Sequence, residues 1–193
     1  MAVDGAEPFL VADAVTLAYD SRTVSVGLDV GITEGEFTVI LGPNACGKST
    51  LLRALSRLIR PSSGRILLDG SEIHQLPSKE LARRMGLLPQ GAQAPEGITV
   101  GGLVARGRFP HQSLLRQWSE EDQSAVISAL ARTGMTDLVD RRLDELSGGQ
   151  RQRVWIAMAL AQETPILVFG LRCRVLPDPL TGSPMVLPAP PRD

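Results

Sequence analysis

The alternation of apolar and polar residues divides the chain into an N-terminal part with strand patterns and a later part with helical patterns. Two alternating runs, VTLAY and VSVGLDV, lie between Val11 and Val39 and predict an antiparallel β region. The apolar run FTVIL (37–41) predicts a buried strand, and the spacing in STLLRALSRLI predicts a helix after the loop that follows. This order of strand, loop and helix is typical of α/β proteins.

The remaining pattern predicts further strands and a helical insert. GRILLDG, MGLLPQ and PILVF have strand character, whereas SKELARR and GGQRQRVWIAMALAQE have helical character. Residues 98–131 are mostly helical in pattern, with Ser119 as the cap of a helix that runs to Ala131. We therefore predict one domain over residues 11–169, with a helical insert at residues 92–147.

The composition changes after Phe169. Residues 170–193 hold 6 of the chain's 14 prolines and lose apolar periodicity. Proline cannot donate a backbone hydrogen bond, so this tail is predicted to hold no ladder or helical hydrogen bonds and to be largely extended or disordered.

Charge and cysteine content narrow the functional classes. The net charge is −1, the pI is near 6.1, and there is no run of lysine or arginine, so a nucleic-acid partner is not expected. Cys46 and Cys173 lack metal-ligand spacing, and the N-terminus has no signal-peptide pattern, which favours a reducing, cytoplasmic location. His74 and His111 have no partner pattern and are interpreted as surface residues.

A glycine-rich loop gives the strongest chemical signal. The stretch GPNACGKST fits the pattern G-x-x-x-x-G-K-[ST] between an apolar strand and a helix, which predicts a cradle for a nucleoside triphosphate. In such a loop the lysine reaches the β and γ phosphates and the serine hydroxyl binds Mg²⁺. The alternative is a glycine turn that only starts a helix. The predicted contacts are Gly42, Pro43, Asn44, Ala45, Cys46, Gly47, Lys48, Ser49 and Thr50.

A second glycine motif precedes the last predicted helix. LSGGQRQR places Ser147, Gly148, Gly149 and Gln150 at a helix N-terminus, which is an anion-binding arrangement, or alternatively an ordinary serine cap. Together the two motifs resemble the ATP-binding subunits of ABC transporters. In that family the signature motif of one subunit closes over the nucleotide held by the other, so the resemblance implies a dimer with ATP and Mg²⁺ between its subunits.

The resemblance also implies a fold and further site residues. The fold is the α/β P-loop NTPase fold of ABC ATPases: an N-terminal antiparallel β region, a parallel core sheet and a helical insert, here incomplete at the C-terminus. Tyr19 corresponds to the aromatic residue that stacks on adenine, or is a strand residue packed on the core. Gln90 corresponds to the glutamine that senses Mg²⁺ and contacts the membrane permease, or is a polar turn residue.

Within the family, VGGLVARGRFPHQ (100–112) resembles the importers of ferric siderophores, haem and cobalamin, and most of all the siderophore group. This implies permease partners and a position on the inner face of the cell membrane.

The resemblance stops at Phe169. The family places a metal-binding aspartate and a catalytic glutamate next, whereas this chain has Gly170 and Leu171. The dimer-contact loop, a further strand and the switch histidine are not found beyond them. We hypothesise a reading-frame shift, by mutation or sequencing error, which translation in the other two frames would test.

Two functions therefore stay open: a transport ATPase in an incomplete copy, or a nucleotide-binding regulator that pairs with an intact subunit. A P-loop kinase or GTPase is disfavoured, because neither class calls for LSGGQ.

Overall fold

The computed structural model describes residues 8–19, 22–35, 38–40, 46–88, 93–113, 118–169, 173–177 and 184–188. For Tyr19, Phe169 and the residues after Phe169, the backbone alone is described.

The N-terminal part folds as a four-stranded antiparallel sheet. Its strands are β1 (Leu10–Tyr19), β2 (Arg22–Ile32), β3 (Ser63–Leu68) and β4 (Ser71–Glu72), in the order β2-β1-β3-β4. The register of β1 shifts around Ala14, which has a positive φ of 48°. Gly64 of β3 allows this, since a Cβ there would lie 2.3 Å from the Ala14 carbonyl oxygen. The strand patterns therefore predicted the N-terminal sheet correctly.

A second layer lies next to this sheet. Helix α1 (Lys48–Leu55) buries Leu51, Ala54 and Leu55, and helix α2 (Ser78–Arg84) precedes strand β5 (Met85–Leu88). β5 pairs in parallel with β6 (Ile166–Phe169), although a long stretch of chain separates them. Apolar side chains of the sheet, α1, β5 and β6 form one hydrophobic cluster, which places α1 on the core.

The prediction of a strand at residues 37–41 is wrong for residues 38–40, which are the part of this segment that the structure describes. Thr38, Val39 and Ile40 have no regular secondary structure, and Val39 is 39% exposed. A strand persists only when its backbone groups pair with a neighbour, whatever its apolar content. Among the described residues no strand pairs with these three, and β6 has β5 as its one partner.

Helices dominate between β5 and β6. Helices α3 (Val100–Ala105), α4 (Glu120–Thr133) and α5 (Gly148–Ala161) are joined by short 3₁₀ turns at Arg106–Arg108, Thr136–Leu138 and Leu143–Glu145. Ser119 caps α4 as predicted, in a reciprocal capping box with Asp122. The inner faces of these helices form a second hydrophobic cluster, whose fully buried members include Val100, Val104, Met135 and Val154. This α/β arrangement confirms the predicted fold class.

The tail contributes two short strands. β7 (Cys173–Pro177) and β8 (Pro184–Pro188) pair with each other as an antiparallel hairpin. These ten residues are extended, as predicted, but their pairing shows that the prediction of no ladder hydrogen bonds is wrong for them. The prolines of the hairpin lie at the ends of the two strands, where a missing donor disturbs the ladder least. Among the described residues, no helix is long and apolar enough to cross a membrane.

Candidate functional site

The glycine-rich loop reaches α1 through a left-handed turn. Gly47 is the N-cap of α1, with φ 95° and ψ 4°, and its carbonyl oxygen accepts the first helical hydrogen bond, from the amide of Leu51, at 2.9 Å. Few residues other than glycine adopt this backbone conformation. Lys48 is therefore the first helical residue. Gly42, Pro43, Asn44 and Ala45 lie outside the described residues.

Space around Gly47 is limited as well. A Cβ at this position would lie 2.4 Å from Cγ1 of Val24 in β2, which is closer than real carbon contacts. The turn before α1 thus lies directly against the N-terminal sheet. Sequence reasoning missed Val24, because a valine inside a strand pattern carries no sign of what it faces.

The first turn of α1 collects groups that suit an anion. The first amide groups of a helix have no partner within the helix, and the helix dipole adds partial positive charge at that end. Lys48 is half-buried, and its Nζ lies 3.7 Å from the Sγ of Cys46, whose side chain is exposed. Ser49 is exposed and Thr50 is half-buried, so a hydroxyl oxygen, a ligand type that Mg²⁺ prefers, is accessible beside the lysine.

The second glycine motif forms the N-terminus of α5. Ser147 Oγ accepts from the Gln150 amide at 3.3 Å, and Gln150 Oε1 accepts from the Ser147 amide at 2.9 Å. Gly148 and Gly149 are exposed, and a Cβ at either would meet no atom within 4 Å. The turn is therefore open to a large partner. Helix α5 packs in the second hydrophobic cluster, whereas α1 packs in the first.

The other predicted site positions are described in part or not at all. Tyr19 is the last residue of β1 and pairs with Arg22, but its side chain is not described. Gln90, Gly170 and Leu171 lie outside the described residues. Their predicted roles stay predictions.

The two histidines differ from the expectation of surface residues. His111 is half-buried, with Nε2 2.9 Å from the carbonyl oxygen of Gln162. His74 is half-buried, and its Nε2 is buried with no hydrogen-bond partner. Burial lowers the pKa of His74, and the charges of Arg60 and Arg57 lower it further against the opposing effect of Glu72.

Comparison with known proteins decides the family. The family model described as "ABC transporter" matches residues 26–169. The chain belongs to the ABC transporter family. The chain is 56% identical, over 159 residues, to the ferric enterobactin transport ATP-binding protein FepC of Escherichia coli (strain K12). It is 53% identical, over 154 residues, to the petrobactin import ATP-binding protein FpuD of Bacillus anthracis.

These matches cover 82% and 80% of this chain but 59% and 56% of the relatives, so the chain spans less than two-thirds of their length. Solved structures of the family share the fold. The structure of cbiO1 from Clostridium perfringens, part of the ABC transporter complex cbiONQ, has a TM-score of 0.71 and 32% identity, covering 84% of this chain and 65% of that one. A dimeric bacterial ABC transporter cassette has a TM-score of 0.69 and 27% identity, covering 82% and 72%.

Proposed function

We propose that the chain is the ATP-binding component of an ABC importer that couples ATP hydrolysis to ferric siderophore uptake. The observation that carries the proposal is the placement of Lys48 directly after the left-handed Gly47, at the N-terminus of a helix docked on the sheet. This geometry brings a lysine and the N-terminus of a helix to one point, as phosphate binding requires.

Each motif has a role in this proposal. Residues 42–50 cradle the phosphates of ATP, Lys48 neutralises the β and γ phosphates, and Ser49 binds Mg²⁺ together with Gln90. Ser147, Gly148, Gly149 and Gln150 contact the γ phosphate of a nucleotide held by a second subunit, and Tyr19 stacks on the adenine. The open space around Gly148 and Gly149 supports that role, because a second subunit has to approach them closely. Bound Mg²⁺ would neutralise charge on the phosphates.

The relatives support a proposal for the substrate and the partners. Ferric enterobactin and petrobactin appear in the names of the two relatives, which supports a ferric siderophore as the transported substrate. We propose membrane permease subunits as partners, which would hold the chain on the inner face of the cell membrane. The dimeric cassette supports a homodimer, or a dimer with an intact ATPase subunit.

A second function is favoured by one observation. Gly170 and Leu171 follow β6, where the family has its two carboxylates, and neither side chain can bind a metal ion or polarise water. A chain with an intact cradle and without these carboxylates would bind ATP without turning it over. Such a chain would act as a hydrolysis-deficient nucleotide-binding regulator, or be a non-functional gene remnant.

Titration calorimetry with ATP and Mg²⁺ tests the cradle. We expect Lys48→Ala to abolish measurable binding, because it removes the cation opposite the β and γ phosphates. Lys79→Ala is a matched control: this lysine also lies in the first turn of a core helix, α2, but outside the loop. Unchanged binding in Lys48→Ala, or equal loss in Lys79→Ala, would show that the loop is not the nucleotide site.

Growth under iron limitation separates the two functions. The chain would be expressed in cells that lack their own siderophore-import ATPase. Restored growth supports the transport ATPase. Absence of growth together with ATP binding, and capture of the chain by an intact ATPase subunit, supports the regulator.

A further inference from the structure

A buried ion pair lies among the helices, away from both glycine motifs. Arg108 and Asp122 are each 4% exposed, and no other charged side chain of the described residues is buried. Arg108 Nε donates to Asp122 Oδ1 at 2.8 Å. Its Nη1 donates to the Ala161 carbonyl oxygen at 2.9 Å and to Glu163 Oε2 at 2.8 Å.

Each of these bonds ends on a different element. Asp122 lies in the first turn of α4, and its Oδ2 accepts from the amide and the hydroxyl of Ser119, so the same carboxylate caps α4 and binds Arg108. Ala161 is the last residue of α5, and Glu163 begins the connection to β6. One guanidinium therefore joins the start of α4 to the end of α5.

Close packing beside Arg108 leaves the backbone of this segment little room to move relative to α5. A Cβ on Gly107 would lie 2.3 Å from the Met158 carbonyl oxygen of α5, so the backbone before Arg108 touches that helix directly. Removal of charges from water is costly, so a buried pair adds little to stability but penalises every arrangement that separates its members. The planar guanidinium donates hydrogen bonds in fixed directions, unlike an ammonium. The contacts of Arg108 therefore constrain the relative direction of α4 and α5 more than they add to the stability of the fold.

A change in the direction of α5 has its largest effect at the N-terminus of this helix, which lies farthest from Ala161. A helix of 14 residues is about 21 Å long at 1.5 Å per residue, so a tilt of roughly 10° about Ala161 moves its N-terminus by about 4 Å. Hydrogen bonds tolerate only a few tenths of an ångström. The N-terminus is where Ser147, Gly148 and Gly149 lie.

We propose that Arg108, acting through Asp122 and the Ala161 carbonyl, is a positioning residue that sets the direction of α5 and thereby the place of the signature motif. The inference that Arg108 sets the direction of α5 rests on the contacts described above alone. Its consequence, which is a displaced contact between the signature motif and the nucleotide held by a second subunit, rests on the proposed function.

Distance measurement by double electron–electron resonance tests the geometric part. Spin labels would be attached to cysteines at the exposed positions Ser128 of α4 and Arg151 of α5, in the full chain with Cys46→Ala and Cys173→Ser. Arg151 lies ten residues from Ala161, so the tilt of roughly 10° moves it by about 2.6 Å. We therefore expect Arg108→Lys to shift the distance peak by about 2–3 Å or to broaden it by that amount. Arg65→Gln is the control, since it removes an exposed arginine that pairs with Asp13 on the sheet, and it should leave the peak unchanged.

A merely stabilising role predicts a different result. It would lower the melting temperature of Arg108→Lys and leave the distance peak in place, and that outcome overturns the proposal. If Arg108→Lys does not fold, the double variant Arg108→Met with Asp122→Leu decides, because an apolar pair often replaces a buried ion pair without loss of stability. A shifted peak in this double variant supports positioning. An unchanged peak, a double variant that also fails to fold, or a parent chain without a defined peak refutes it.

Nucleotide binding separates this inference from the proposed function. We expect the ATP affinity of the cradle, measured by calorimetry, to stay within twofold of the parent in Arg108→Lys, because α1, which follows the cradle, packs in the other hydrophobic cluster. A large loss of affinity in this variant counts against positioning through α5. Failure of the parent to bind ATP would refute the proposed function and leave the distance result intact.

Discussion

Gly47→Ala probes the turn that places Lys48 at the start of α1. Alanine there faces two separate obstacles, a φ of 95° and a Cβ position 2.4 Å from Cγ1 of Val24. A residue with a side chain held in such a backbone region costs about 1–3 kcal/mol. Forcing an extra carbon into packed surroundings costs about 1–3 kcal/mol more. The substitution therefore disfavours the observed turn by about 2–6 kcal/mol in total.

The chain can avoid this cost by moving the loop away from its present geometry. If ATP binding requires that geometry, the cost is subtracted from the binding free energy. A loss of about 2 kcal/mol weakens affinity roughly 30-fold, since each 1.4 kcal/mol is a factor of ten. We expect titration calorimetry to show at least this loss for Gly47→Ala.

Two further variants separate the obstacles. Val24→Ala combined with Gly47→Ala removes the close contact but not the backbone strain, so it should regain part of the affinity and not all of it. Gly70→Ala is the matched control, because Gly70 has a φ of 70° with no atom near its Cβ position and lies away from the loop. It should lower stability without changing ATP affinity. Binding by Gly47→Ala within twofold of the parent, or no recovery in the double variant, would refute the reasoning.

Two other predictions concern catalysis and pH. Phosphate release by the chain alone should be negligible, because loss of a positioned general base removes about 10²- to 10⁴-fold of rate; steady release that Lys48→Ala abolishes would contradict this. Folding lowers the pKa of His74 from its ordinary value of 6.5, so folding favours the neutral imidazole. The neutral His74 side chain therefore contributes fully to the free energy of unfolding above pH 6.5, and this contribution is lost as the pH falls through the pKa of the folded state. The urea midpoint should therefore fall more in the parent than in His74→Gln between pH about 7.5 and about 5.5; equal falls would show that His74 is not responsible.

Local signals explain which elements the sequence predicted. Ser119 and Ser147 are the N-caps of α4 and α5. A serine followed three residues later by an acid or amide forms a capping box, and this signal depends on a few neighbouring residues only. Contacts across the fold leave no such signal. Two such contacts, between Val24 and Gly47 and between Arg108 and Asp122, depend on where segments distant in the sequence meet. The same holds for His74, whose buried Nε2 is set by the segments packed around it.

The segment at residues 38–40 shows why apolar content alone does not make a strand. The resemblance to ABC ATPases implies a further strand between the segment before the P-loop and the strand at residues 166–169. In the described part of the chain, residues 38–40 are unpaired and β6 has β5 as its one partner. Ile166 and Val168 are nonetheless 6% exposed, so β6 lies in buried surroundings.

Unpaired backbone groups in such surroundings cost about 1–3 kcal/mol each, against a total domain stability of about 5–15 kcal/mol. We therefore expect weak amide protection in hydrogen exchange for residues 38–40 and β6, beside stronger protection in α3, α4 and α5, whose inner faces form their own cluster. Replacing residues 170–193 with the corresponding C-terminal segment of a siderophore-import relative should raise protection of residues 38–40 and β6, because the added strand pairs with both. A graft with the same residues in reversed order is the control and should not do so. Strong protection of residues 38–40 in the unaltered chain would show that this part of the sheet is stable without a further strand.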